Sequence, residues 1–130
     1  MRITRALYDE MVSHALAEAP NECCGIIASW EGEATRVYPA RNKFSSPLRY
    51  EIDGEDLIRI FRETDAEGWD WGAVYHSHTR SAPKPSQTDI NQAYWPELLY
   101  VIVGVAEQPP QVSAYRIVDG SVEEVPLRVE

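Results

Sequence analysis

The stretch Gly72–Asp89, GAVYHSHTRSAPKPSQTD, constrains this chain more than any other. It carries two of the chain's three histidines, one residue apart, with Ser86 and Asp89 beyond a loop stiffened by Pro83 and Pro85. Ala73-Val74-Tyr75 is apolar and β-prone, so Gly72 to Ser77 reads as a largely buried strand. Alternate side chains of a strand share a face, which puts His76 and His78 on one side, Cα atoms roughly 6.5–7 Å apart. Two imidazoles at that separation can converge on one metal ion, each nitrogen at about 2.0–2.1 Å. A helix would need i, i+4 spacing instead, and this sequence does not use it. Ser86 has the chemistry of a helix N-cap. Asp89 then falls in the first helical turn, able to turn back toward the histidines. Two imidazoles and one carboxylate leave a fourth tetrahedral position for water, as at catalytic and not structural zinc. The plainer readings are a simple cap for Ser86 and, for Asp89, a carboxylate at the positive helix end, stabilising by about 0.3–1 kcal/mol.

The 130 residues suit one compact domain, residues 1–130, and are too few for a (β/α)8 barrel. A hydrophobic fraction of 44% supports a genuine core, and no low-complexity run argues for disorder. The net charge of −9 speaks against nucleic acid as a partner, because phosphate binding relies on clustered Lys and Arg. No stretch reaches about 18 apolar residues, and the N-terminus lacks a signal-peptide core, so no membrane partner is expected. The expectation is a soluble, cytoplasmic protein. The only cysteines, Cys23 and Cys24, are adjacent and offer no loop-closing disulfide, which agrees with a reducing compartment.

Taken in order, Arg2-Ile3 reads as the start of an edge strand and Thr4 as a helix cap. Leu7 to Ala17 has helical spacing at Leu7, Met11 and Ala15, and Pro20 ends that helix. His14 lies on it without another ligand type nearby and reads as a structural or exposed histidine. Cys24–Trp30 reads as a buried strand, with Glu31-Gly32-Glu33 turning into a second strand, Ala34–Tyr38. Pro39–Pro47 is a connector, and Leu48–Ile52 alternates like a further strand. Asp53-Gly54 opens a helix over about Glu55–Thr64, with Leu57, Ile58, Ile60 and Phe61 toward the core and Gly68 closing it. After Asp89 the short helix continues through Ala93, stopped by Pro96. Leu98–Val105 is a continuous apolar run, as in a central strand buried on both faces. Val112–Val118 and Val122–Val129 read as the last strands, joined by a hairpin at Asp119-Gly120. The order gives an α+β fold, a mixed central sheet flanked by helices, without repeat or linker.

The pattern His-x-His, seven residues, Ser, two residues, Asp resembles the JAMM motif of the MPN+ (Mov34/PAD-1) metalloprotease family. A second part of the resemblance lies upstream. Pro20-Asn21-Glu22-Cys23-Cys24-Gly25, followed by the apolar Ile26-Ile27-Ala28, is similar to the family's Pro-x-Glu-x-Cys-Gly context near the end of the first helix. Alone, Glu22 would be an ordinary solvated loop glutamate. The resemblance implies an MPN domain, a cytidine-deaminase-like three-layer arrangement. It also implies one zinc ion (Zn2+) held by His76, His78 and Asp89, with Glu22 as general base and then general acid. Ser86 would supply a hydroxyl that stabilises the oxyanion or orients the water. Zinc so held lowers the pKa of its water toward about 7. Cytidine deaminases themselves need His-x-Glu and Cys-x-x-Cys, and neither occurs here.

Within the family, the chain is similar to the small bacterial members of the CysO-cysteine hydrolase type. Tyr75-His76-Ser77-His78-Thr79 and the late segment Ser113–Gly120 share their character. Only 41 residues follow Asp89, too few for the insertions with which larger members grip ubiquitin. This implies a zinc-dependent peptidase or isopeptidase cutting after the C-terminal Gly-Gly of a ubiquitin-like sulfur-carrier protein, releasing cysteine in cysteine biosynthesis or sulfur-carrier processing. Such tails bind extended, by adding to a strand edge. Arg80 and Lys84 sit in the active-site loop, where they would bind a substrate carboxylate or remain solvated cations. Trp30, Trp69, Trp71 and Trp95 line a groove or belong to the core. Ser77 and Thr79 point to the opposite face and receive no chemistry. A homodimer stays open, as does the native metal, since histidine and carboxylate tolerate several. Two other readings compete. A non-catalytic MPN scaffold would have lost ligands, and none is missing. A hydrolase acting on a small-molecule amide remains, as does a DNA-linked role like that of RadC-type relatives, which carry His-Asn-His-Pro at 76–79; the acidity opposes the latter.

Overall fold

Side-chain caps set the ends of the two long helices of the computed structural model, which describes residues 1–130. After the two-residue strand β1 (Arg2–Ile3), the Thr4 hydroxyl accepts the Leu7 N–H at 3.3 Å and starts α1 (Arg5–Glu18). Likewise the Asp53 carboxylate accepts the Asp56 N–H and starts α2 (Gly54–Glu67), which Gly68 closes in the left-handed region, φ 73°. The α2 helix is longer at both ends than the apolar periodicity predicts. It buries Ile60 and Thr64 with Leu57 half-buried, whereas Ile58 and Phe61, expected in the core, are 56% and 60% exposed. Leu57, Ile60 and Thr64 follow i, i+3, i+7, and each of the exposed pair is rotated by about 100° from that stripe.

Eight strands form one mixed sheet. In chain order, β1 is followed by β2 (Cys24–Trp30), β3 (Glu33–Ala40), β4 (Asp70–His78), β5 (Leu99–Gly104), β6 (Gln111–Val118), β7 (Ser121–Val125) and β8 (Arg128–Val129). In space the order is β7-β6-β5-β4-β2-β3-β1-β8. The β4–β5, β1–β3 and β1–β8 pairs are parallel and the others antiparallel. One face packs α1 through Met11 and Ala15 against Ile3, Ile27, Tyr75 and Val101. The other packs α2 through Ile60 against Ile26, Val74, Ile102 and Tyr115. Helix, sheet and helix make three layers, the α+β arrangement expected from the sequence.

The carboxy-terminal run is two strands and not the single Val122–Val129 strand expected. Pro126 lacks an N–H and interrupts pairing, and β8 joins the opposite edge beside β1. Only Pro126 and Leu127 separate β7 from β8, so Val125 and Arg128 lie at most about 11 Å apart. The sheet therefore curls until its two edges meet, with Val125, Leu127 and Val129 packed on the α1-side core. This also removes β1 from the edge position predicted for it. The expected strand Leu48–Ile52 is reduced to one bridge, Asn42 to Ile52. There the Asn42 side chain takes over the ladder's work. Its Oδ1 accepts the N–H groups of Phe44 and Glu51, and its Nδ2 donates to the carbonyls of Glu22 and Arg49. The last short helix, α3 (Gln87–Asn91), stops two residues before the expected Ala93, with Gln92 as its C-cap.

Gly25 lies where β2 passes between β3 and β4. A Cβ there would stand 2.4 Å from the Tyr38 carbonyl oxygen and 2.4 Å from the Tyr75 ring. The carbonyl belongs to a paired strand and cannot retreat. Gly25→Ala should therefore lower the unfolding free energy by about 1–3 kcal/mol. Urea titration followed by circular dichroism checks this, and an unchanged midpoint would contradict the close approach.

Candidate metal centre

Strand β4 ends in Tyr75-His76-Ser77-His78, and its pleat puts both imidazoles on the α2 side of the sheet. Both histidines are buried, at 1% and 5% exposure. Their Nε2 atoms lie 3.2 Å apart. Asp89 Oδ2 completes a triangle, 3.3 Å from His76 Nε2 and 3.0 Å from His78 Nε2. Ligands of a tetrahedral zinc ion at about 2.0–2.1 Å stand about 3.3 Å from one another, so the triangle has the size such an ion requires. These are the three residues whose ligand atoms converge in the fold.

Each ligand is held from behind. The His78 Nδ1–H donates to the Ala82 carbonyl at 2.9 Å, which leaves Nε2 with its lone pair toward the triangle. The His76 ring is stacked by Tyr50, centroids 4.3 Å apart and planes at 19°. Its Nδ1 has no protein partner. Asp89 Oδ2 accepts the Ser86 N–H at 2.9 Å, while the Ser86 Oγ accepts the Asp89 N–H at 3.1 Å. Ser86 is thus an N-cap, as the sequence predicts, and its reciprocal bond aims the Asp89 carboxylate. The loop between His78 and Ser86 is pinned at Pro83, whose carbonyl accepts the Tyr115 hydroxyl at 2.8 Å.

Electrostatics at the triangle follows from burial and pairing. Burial lowers the pKa of His76 despite its hydrogen bond with Asp89. His78 is also desolvated, yet Asp89 and the Ala82 carbonyl hold its pKa above the ordinary histidine value. Desolvation would raise Asp89, but hydrogen bonds from His76 and His78 outweigh it and hold the carboxyl far below the usual carboxylate range. Asp89 is therefore a permanent anion facing two nitrogens, a donor set suited to a divalent cation.

Glu22 arrives from the other side. It precedes β2, whose antiparallel register with β4 sets Cys24 opposite His76 and so carries Glu22 to the level of His78. The segment is tied down at four points. Thr79 Oγ1 donates to the Pro20 carbonyl, and Ser77 Oγ accepts the Cys23 N–H at 2.8 Å. The Glu22 N–H donates to the Ser46 carbonyl, and Asn42 Nδ2 donates to the Glu22 carbonyl. Glu22 is 5% exposed, and its Oε1 has no protein partner. Burial raises its carboxyl to about 7, with His78 opposing the rise and Asp89 adding to it. A buried, orphaned carboxylate beside three converging lone pairs is what a site for a cation and a water leaves behind in the protein alone.

Other residues fall elsewhere. Arg80 and Lys84 are exposed on the loop and form no ion pair. His14 bonds the Tyr75 hydroxyl at 2.8 Å on the α1 side, a structural role. Cys23 and Cys24 are buried on opposite faces of the sheet, and burial pushes the Cys23 thiol up to about 12, so neither is a nucleophile. Trp95 lines a cavity of about 420 Å³ together with Tyr50, Tyr94 and Tyr100, directly behind the ring that covers His76. Ser77, Thr79, Asn42 and Tyr50 hold the site together, although sequence reasoning gave them no part in it. For Ser77 and Thr79 the signal was present in their alternation with the histidines; Asn42 and Tyr50 lie in a connector without pattern.

The chain and its fold resemble known proteins. The CysO-cysteine peptidase of Mycobacterium bovis is 35% identical over 126 residues, 95% of this chain and 86% of that protein. The solution structure of a protein from Desulfitobacterium hafniense superposes with a TM-score of 0.91 at 29% identity, covering 99% of this chain and 92% of the other. The crystal structure of a JAB1/MPN domain protein from Archaeoglobus fulgidus shares the fold, with a TM-score of 0.66 at 18% identity over 100% of this chain and 96% of its own. The family model for prokaryotic homologs of the JAB domain matches residues 4–118, and the chain belongs to that family.

Proposed function

We propose that this protein is a metal-dependent peptidase that hydrolyses the amide bond after the C-terminal Gly-Gly of a ubiquitin-like sulfur-carrier protein, releasing cysteine. The observation that carries the reading is the triangle of His76, His78 and Asp89, with the unpartnered Glu22 carboxylate beside it. The name of the mycobacterial relative, CysO-cysteine peptidase, supports the choice of substrate.

His76 and His78 through Nε2 and Asp89 through Oδ2 would hold the ion, zinc in this reading. When bound, it would polarise the scissile carbonyl and make hydroxide available near neutral pH. The chain's own groups do the rest. Glu22 accepts a proton from the attacking water and passes it to the departing amine, and its buried carboxyl beside the triangle has no protein partner to compete for that proton. Ser86 Oγ already accepts the Asp89 N–H, so its own O–H remains free to donate to an oxygen that gains negative charge. Arg80 and Lys84, exposed on the loop and without an ion pair, would meet the carboxylate of the terminal cysteine in this reading.

Mass spectrometry of a carrier ending in Gly-Gly-Cys tests the reading. Incubation with the metal-loaded protein should remove one cysteine residue, and a chelator should abolish the loss. Glu22→Gln should keep stoichiometric metal while turnover falls about 10²–10⁴-fold. His78→Ala should lose both. Undiminished turnover in Glu22→Gln would remove the proton-transfer role.

A pH dependence follows for the metal-free protein. The Glu22 carboxyl titrates at about 7 when folded, against about 4.3 when unfolded. Below pH 4 both states carry the proton and the group contributes nothing. As pH rises the unfolded state ionises first, so stability falls until about pH 7 and is then lower by about 4 kcal/mol. With chelator present, Glu22→Gln should thus be more stable than the native sequence at pH 8 and equal to it at pH 4. Urea midpoints at the two pH values measure this.

A further inference from the structure

A defect in β4 opens a second site on the metal-bearing side of the sheet, at the other end of the strand from the histidines. The register pairs Ile27 with Ala73 and Ala28 with Trp71 and so passes over Gly72. One extra residue resets the alternation, and Trp71 joins Val74 in the α2-side core. Only glycine fits the bulge, because a Cβ at Gly72 would stand 2.6 Å from Ser29 Oγ.

Trp71 meets Trp95 edge to face at 6.1 Å and 86°, and Phe61 meets Trp71 at 6.5 Å and 78°. These nearly perpendicular rings wall an open basin of about 700 Å³ that also takes in the acidic residues Asp65 and Glu97. Neither carboxylate forms an ion pair. No lysine or arginine lines the basin.

Aromatic faces and unpaired carboxylates share one preference, for positive charge. An apolar ligand would have to desolvate the acids for nothing in return. A bare metal ion would need oxygens that converge, and these do not. We propose that the basin binds the guanidinium or ammonium group of a basic side chain on the folded body of the protein substrate; this rests on the proposed function. Five residues of β4 separate Trp71 from His76, roughly 17 Å. About five residues of extended tail span that length, so a substrate body resting on the basin can deliver its terminus to the metal centre.

The test is titration of the metal-loaded protein with arginine amide, lysine amide, tetramethylammonium and the neutral citrulline amide at constant ionic strength. Tryptophan indole N–H signals are followed by NMR. The Trp71 and Trp95 signals should shift saturably with arginine or lysine amide, with half-saturation at roughly 1–10 mM, while Trp30 stays still. Citrulline amide should have no effect, and the double variant Asp65→Asn, Glu97→Gln should lose the response. Equal shifts with citrulline amide, or none with any cation, would overturn the site. A stronger response to tetramethylammonium than to either amide would overturn the side-chain assignment in favour of a small quaternary ammonium. In a second arm, arginine amide should raise KM for a folded carrier ending in Gly-Gly-Cys but not for a free hexapeptide with that ending. Equal inhibition of both would overturn the docking role. Turnover of neither would instead overturn the reading of the metal centre, and the indole titration would still decide the cation site.

Discussion

The antiparallel pairing of β2 with β4 is the constraint on which the site depends. It brings together two segments more than fifty residues apart and sets Cys24 opposite His76. With that register fixed, the chain before β2 runs alongside Ser77 and His78. A slip of one residue would turn the histidines to the α1 side, among Ile27 and Val101, and Tyr75 to the other. Gly25 permits the pairing by letting β3 and the Tyr75 ring approach the β2 backbone. The acid on one segment and the ligands on the other therefore form a single rigid unit, with both strands buried on each face.

Around that unit the protein spends its polar groups on position. Asn42 satisfies four backbone groups of an irregular connector, one of them the Glu22 carbonyl. Ser77 and Thr79, alternating with the ligands, hold the Pro20–Cys23 segment. Tyr115 reaches across from β6 to pin the loop at Pro83. Such bonds stabilise by about 1 kcal/mol each. Their larger effect is on geometry, since a triangle of lone pairs about 3 Å across tolerates little displacement. Of the four buried side-chain atoms without partners, Glu22 Oε1 and His76 Nδ1 are at the triangle, and Thr35 Oγ1 and Tyr38 OH are on β3.

The curled sheet explains how so small a chain encloses two cores. With β7 and β8 brought together around the α1 side, the sheet covers Met11 and Ala15 completely. The opposite face is covered only by α2 and by the connectors, and it is there that the candidate metal centre and the aromatic basin lie. The bulge at Gly72 belongs to the same economy. It turns Trp71 toward the α2 side, so the two sites share one face of one strand.

Much of this was legible in the sequence for a physical reason: it depends on local periodicity and on the chemistry of single residues. The two-residue period of β4 fixes the common face of His76 and His78, and Thr4, Asp53, Gly68 and Ser86 cap or close helices as their side chains dictate. The β-propensity of Leu48–Ile52 and Val122–Val129 misled, because Asn42 replaces a ladder in one and Pro126 breaks the other. Ile58 and Phe61 misled because an apolar side chain does not say which stripe of a helix meets the sheet. The sequence by itself determined which residues could bind a metal and on which elements they stand. Only the tertiary structure decided that Asp89 and the two histidines meet at about 3 Å, that Glu22 is buried beside them, and that Tyr50 covers His76. Those facts rest on strand register and on contacts between distant segments, which no local pattern encodes.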